Sequence, residues 1–217
     1  MPGISRMNIK SIISGLFFSL SACADGFLAQ SISQDQPWSI TASIGQGKYQ
    51  HFFAKDGSAA IARLALDNEL LLAGNVAVGL ELGAQNYNRM HIDVPQKTRA
   101  VLGWLPVRST LGPMFDLLVT AKSDPLAGSA FFAQLKGGVA YRRWKSKNEA
   151  INNLSQIAGE IQAGFGYPIT ALASLSVLYQ GVYGNDPKLK IDLVNKTGHV
   201  SNIPALHAVL LGFSVNI

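Results

Sequence analysis

Charge is scarce in this chain of 217 residues: Asp, Glu, Lys and Arg make up 14%, against 48% hydrophobic residues. That balance excludes intrinsic disorder, which needs low hydrophobicity and high charge, and it leans toward a membrane protein. No run of about 18 apolar residues occurs after residue 30, which argues against a helical membrane span in the mature chain. The other backbone-satisfied route through a bilayer is a closed barrel. Cysteine is nearly missing too, with Cys23 alone. The four histidines, His51, His91, His199 and His207, are not paired at metal-ligand spacings, and no acidic cluster sits beside them, so no metal or other cofactor is expected. Gly164-Phe165-Gly166 lacks the third glycine and following helix of a nucleotide site. The net charge of +5 is modest. Nucleic-acid binding needs basic residues clustered with stacking aromatics. The nearest approach, Arg142-Arg143-Trp144-Lys145-Ser146-Lys147, reads more simply as a basic loop at a strand end facing headgroups or solvent, so no nucleic-acid partner is expected.

Residues 1–24 have the form of an export signal. Arg6 and Lys10 supply a basic start, and Ile12 to Leu20 an apolar stretch of the right length. Ala22-Cys23-Ala24 is a small-residue cleavage site that leaves Asp25 first. Leu20-Ser21-Ala22-Cys23 also has the form of a lipobox, which would leave Cys23 first and lipidated. With cleavage before Asp25 the mature chain has no cysteine, and disulfides, thiolate metal sites and cysteine nucleophiles drop out. Residues 25–35 then form a short periplasmic segment, and 36–217 one barrel domain.

The rest of the chain alternates with a period of two, which puts successive side chains on opposite faces of a strand. At the C-terminus Val209, Leu211, Phe213, Val215 and Ile217 alternate with Ala208, Leu210, Gly212, Ser214 and Asn216. The same pattern starts at Trp38, Ala60, Val76, Phe115, Phe131, Ile157 and Leu175, giving eight strands. Asp67-Asn68-Glu69, Ser123-Asp124-Pro125 and the stretch from Tyr167 to Thr170 read as short turns. The intervening connections, about 87–111, 145–155 and 185–204, are long or polar. Outer-membrane barrels have this rhythm of short periplasmic turns and longer external loops, and an even strand number. Within 98–111 the residues suit either a ninth strand or a short loop helix. The predicted fold is an antiparallel up-and-down transmembrane β-barrel of eight strands. A soluble barrel would show water a face of Gly, Ala, Ser and Gln with about one charge per strand. The inverse suits the sequence better, with small and polar residues in a narrow lumen and large apolar ones toward lipid.

On the inward face the strands carry Arg63, Glu81, Asp116, Lys136, Arg142 and Glu160. Buried charges persist when paired, and neighbouring strands offer Arg63 to Glu81, Asp116 to Lys136 and Lys136 to Glu160. One connected ion network plugging the lumen is the expectation. The alternative places Arg142 and Arg63 near the rim, solvated.

The export signal, the eight alternating strands and the ending Leu211-Gly212-Phe213-Ser214-Val215-Asn216-Ile217 together resemble the small outer-membrane β-barrel family of Gram-negative bacteria, over about residues 36–217. That family's last strand usually ends in an aromatic residue that serves as an assembly signal, whereas this chain ends in Ile217. The resemblance implies export to the outer membrane and partners among its lipids and lipopolysaccharide. It is compatible with envelope or host-surface ligands at the loops. His199-Val200-Ser201-Asn202 also resembles the His-x-Ser-Asn motif of outer-membrane lipid A deacylases, which are barrels of the same size. That likeness implies His199 as general base and Ser201 as nucleophile, but no Asp or Glu follows Asp192 to orient the histidine. The sequence therefore favours a non-enzymatic barrel with a plugged lumen, over a lipid A hydrolase or a narrow solute channel.

Overall fold

The computed structural model describes residues 30–31, 38–50, 58–86, 88–92, 107–126, 128–146, 151–185, 188–192, 194–195 and 197–217. The export signal with Cys23, and all of 25–35 but Gln30 and Ser31, lie outside them. Eight strands build the body: β1 (Trp38–Tyr49), β2 (Ser58–Ala73), β3 (Val76–Gln85), β4 (Met114–Ser123), β5 (Phe132–Ser146), β6 (Leu154–Pro168), β7 (Ala173–Val182) and β8 (Leu206–Asn216). Each pairs antiparallel with the next, and β8 pairs back onto β1 from Leu206 opposite Tyr49 to Asn216 opposite Ser39. The ring is closed, so no barrel strand leaves its backbone groups unpaired along an edge.

Burial alternates as the sequence period requires. In β4 the inward Met114, Asp116, Leu118 and Thr120 are buried, while Phe115, Leu117 and Val119 between them are exposed. The outward face is a sleeve of Ile, Leu, Val and Phe, with Leu82 at 61% and Ile157 at 71% exposure. Exposed aromatics flank it, with Trp38, Phe131 and Tyr167 toward the short-turn end and Tyr141, Tyr179 and Tyr183 toward the other. A continuous apolar sleeve between aromatic bands requires an apolar surround.

An eight-stranded barrel has an interior just wide enough for side chains to fill. Leu118, Leu178 and Leu210 are buried in it, and each registers opposite a glycine on a neighbouring strand: Gly138, Gly164 and Gly45. A Cβ at any of these glycines would run into the neighbouring strand's backbone. Large and small residues thus share the narrow space.

One expected turn is corrected. Asp67-Asn68-Glu69 lies inside β2, which continues through a register shift between Glu69 and Leu71 to Ala73. Gly74-Asn75 makes the turn, with Gly74 at φ 62° and Ala73 registering with Val76. A two-residue hairpin needs positive φ, which glycine adopts at no steric cost. The polar run upstream serves the lumen: Asp67 accepts a hydrogen bond from Thr120 Oγ1 at 3.2 Å.

The short connections 74–75, 124–131 and 169–172 share one end with both barrel termini, where Ile217 N–H donates to the Trp38 carbonyl at 2.8 Å. At the opposite end, Val107–Leu111 continues β4 and pairs with Asn88–Ile92, which continues β3. The strand within 98–111 is therefore an extension of an existing hairpin rather than a ninth barrel strand, and residues 98–106 lie outside the described ones. A second hairpin, Leu189–Asp192 with Thr197–Val200, rises between β7 and β8. The Asp192 carboxylate caps its turn, accepting from Asn195 Nδ2 at 2.7 Å and from the Val194 and Asn195 amides. These bonds, the Asn195 side chain's first, hold its pKa below the usual carboxylate value.

Candidate functional site in the barrel lumen

From the short-turn end inward, the lumen begins as a polar vestibule of about 40 Å³, lined among others by Thr41, Asp67, Thr120, Lys122, Ser176 and Asn216. Above it four of the six predicted charges meet. Arg63 on β2 reaches Glu81 Oε1 on β3 at 2.8 Å, and Lys136 on β5 reaches Glu81 Oε2 at 2.6 Å. Arg63 also grips Asp116 on β4 with both Nε, at 3.1 Å, and Nη2. Their side chains are at most 9% exposed, and the two cations match the two carboxylates in charge. Charge-assisted, two-point contacts of this kind are the strongest hydrogen bonds a buried carboxylate can make.

Of the pairs that neighbouring strands suggested, Arg63 with Glu81 forms, whereas Asp116 with Lys136 and Lys136 with Glu160 do not. Arg63 skips β3 to reach Asp116, and Lys136 skips β4 to reach Glu81, because the lumen is narrow enough for side chains to cross it. Gly83 makes the first crossing possible. It registers with Ala65 and Asp116, and a Cβ there would collide with the Arg63 guanidinium and with Asp116 Oδ1. Gly83→Ala should therefore lower the urea midpoint of the folded barrel, by an amount equivalent to about 1–3 kcal/mol of overpacking. Ala84→Val on the outward face should leave it unchanged.

Glu160 joins neither cation by a direct bond. Its Oε1 accepts from Gln162 Nε2 and Gln180 Nε2, both at 2.7 Å, and Gln180 Nε2 also donates to Gln85 at 3.1 Å. These glutamines were not singled out in the sequence, although each occupies an inward position of its strand.

Arg142 stands apart. Buried to 3% exposure, it donates to three backbone carbonyls, Pro204 at 2.6 Å, Tyr183 at 2.9 Å and Ile203 at 3.3 Å. It thereby fixes both ends of the β7–β8 connection. Asn152 adds a peptide-like clasp on the same connection, accepting from Val200 N–H at 2.6 Å and donating to the Val200 carbonyl at 3.2 Å. Gln156 Oε1 accepts from Ile203 N–H at 3.0 Å. So held, Val200 and Ile203, with Ile151, are buried against Tyr49, Met114, Trp144, Val182 and Leu206. The long-loop end of the lumen is filled by an apolar core to which its own loops contribute.

His199 and Ser201 lie on the second hairpin and just beyond it. His199 is exposed and registers with Lys190, while Ser201 Oγ donates to the Lys188 carbonyl at 3.3 Å. Among the described residues no hydrogen bond joins the two, and no group of three metal-ligating side chains converges.

A closed antiparallel barrel of eight strands is the architecture of the small outer-membrane β-barrels, and this chain has that fold. Among solved structures it resembles the outer membrane protein OprG of Pseudomonas aeruginosa, with a TM-score of 0.52 and 13% identity over 82% of this chain and 95% of that one. Neisserial surface protein A matches at 0.46 and 12% identity over 84% and 97% of the two chains. Ail, the attachment invasion locus protein of Yersinia pestis, matches at 0.47 and 9% over the same shares. No protein-family model and no curated protein sequence matches the chain.

Proposed function

We propose that this chain is a non-enzymatic integral outer-membrane barrel that does not conduct, and that acts through its long connections. Lipids and lipopolysaccharide would surround the sleeve, and envelope or host-surface ligands would meet the loops. The observation that carries the reading is what occupies the lumen. A neutral ion cluster crosses its middle, and the β7–β8 connection, tied down by Arg142, Asn152 and Gln156, fills its outer mouth with Val200 and Ile203. A solute would have to displace both. The exposed apolar sleeve supports the membrane location, since leaving it in water would forfeit about 25 cal/mol for every Å² exposed. Against hydrolysis stands the engagement of Ser201 with a backbone carbonyl rather than with a base.

Two assays run side by side on the mature protein test this. In planar bilayers the parent should give no steps above the lipid background. In a Gram-negative host, its expression should leave the lipid A acylation pattern unchanged, as should Ser201→Ala and His199→Ala. Stable conductance would replace the reading with a channel. Loss of an acyl chain that either variant abolishes would make the protein a hydrolase.

A further inference from the structure

Glu160 sits two residues from Gln162 on β6, and Gln162 registers with Gln180 on β7, so the three share one patch of lumen wall. Exposure is 3% for Glu160 and 0% for both glutamines. Both amide groups donate to the same carboxylate oxygen. Three buried acceptors, Glu160 Oε2, Gln162 Oε1 and Gln180 Oε1, take no hydrogen bond from the protein. Turning either glutamine over would set an amide oxygen against the carboxylate, so no flip relieves the patch. A direct ion pair is missing there as well. Arg63 and Lys136 are matched by Glu81 and Asp116, Arg142 is engaged by carbonyls, and no cationic side chain among the described residues lies within salt-bridge distance of Glu160.

We infer that this patch binds one monovalent cation of the sodium or potassium class, held by the Glu160 carboxylate and the amide oxygens of Gln162 and Gln180. Carboxylate and amide oxygens are hard donors that suit alkali and alkaline-earth ions rather than soft metals. A single carboxylate balances a single positive charge, whereas a divalent ion would leave an uncompensated charge in a buried site. The ion is a structural counter-charge in the lumen wall, whether or not the lumen conducts.

The test refolds the mature full-length protein from urea into detergent in sodium, potassium or choline chloride at equal ionic strength. The parent should melt roughly 3–8 °C higher in sodium or potassium than in choline, as expected for a ligand that binds only the folded state. Glu160→Gln should melt at one temperature in all three salts. Equal midpoints for the parent in the three salts would overturn the site. A protonated-carboxyl infrared band in the parent, absent from Glu160→Gln, would then assign Glu160 a proton instead. If Glu160→Gln does not refold, the salt dependence of the parent and of Gln162→Leu decides: a cation effect in the parent that Gln162→Leu weakens supports the site, and none in the parent overturns it.

Discussion

Arg63→Met should destabilise the barrel by about 3–5 kcal/mol, the usual consequence of removing one partner from a buried ion pair. Arg63 serves two carboxylates at once, Glu81 at 2.8 Å and Asp116 through two donors, all with side chains at most 1% exposed. Methionine fills the space but leaves Asp116 with no cation. Lys136→Met should do less, about 1–3 kcal/mol, because Glu81 keeps Arg63 and loses only a charge-assisted hydrogen bond. The order of the two variants is the informative result, since pairing across adjacent strands alone would make Lys136 the more important cation. Arg63→Met combined with Asp116→Leu should regain part of the loss, as apolar replacement of a buried pair often does. Urea unfolding followed by tryptophan fluorescence measures all three. If Arg63→Met unfolds at the parent's midpoint, the cluster is solvated and does not close the lumen.

Strand number and facing were legible because a period of two is a local property, visible wherever one face meets an apolar surround. From Val209 to Val215 every second residue is apolar, and those residues are the outward ones in β8. The same local reading failed at Asp67-Asn68-Glu69. Turn-forming chemistry and lumen-facing chemistry use the same residue types, and only the closed ring distinguishes them. The hairpin extensions Asn88–Ile92 and Val107–Leu111 were illegible for the opposite reason. Beyond the sleeve no apolar surround imposes alternation, so no period marks them as strands.

The lumen charges were legible as a set, and as partners in the pair Arg63 and Glu81 alone. Arg63, Glu81, Asp116, Lys136, Arg142 and Glu160 occupy inward positions in the right period, and all six are buried. Which of them meet depends on strand tilt, on the width of the ring and on the missing side chain at Gly83, none of which a single strand's sequence contains. Arg142 was grouped with the ion network because a buried cation suggests an acid. Its partners are carbonyls at the two ends of a connection 41 to 62 residues later in the chain, and backbone acceptors leave no trace in residue type. Asn152 and Gln156 are of the same kind, polar side chains whose partners are loop backbone.

Arg142→Met should loosen the outer mouth without opening the barrel. The substitution strands three carbonyls, at Tyr183, Ile203 and Pro204, each costing about 1–3 kcal/mol if left buried and unpaired. Against this stand the clasps from Asn152 and Gln156, and the burial of Val200 and Ile203 at about 1.5–3 kcal/mol each. The two sides are comparable, so the β7–β8 connection should open part of the time rather than leave the mouth for good. Trypsin added to intact cells should then cut after the exposed Lys188 or Lys190 at least tenfold faster than in the parent, since about 1.4 kcal/mol of lost protection is a factor of ten. Arg142→Lys keeps the charge but not the planar set of donors, and should fall between the two. No conductance should accompany the faster cleavage, because the Arg63, Glu81, Asp116 and Lys136 cluster still crosses the lumen beneath. Current through Arg142→Met would make the loop the sole barrier, and cleavage at the parent's rate would mean that Asn152, Gln156 and the apolar contacts hold the connection without the arginine.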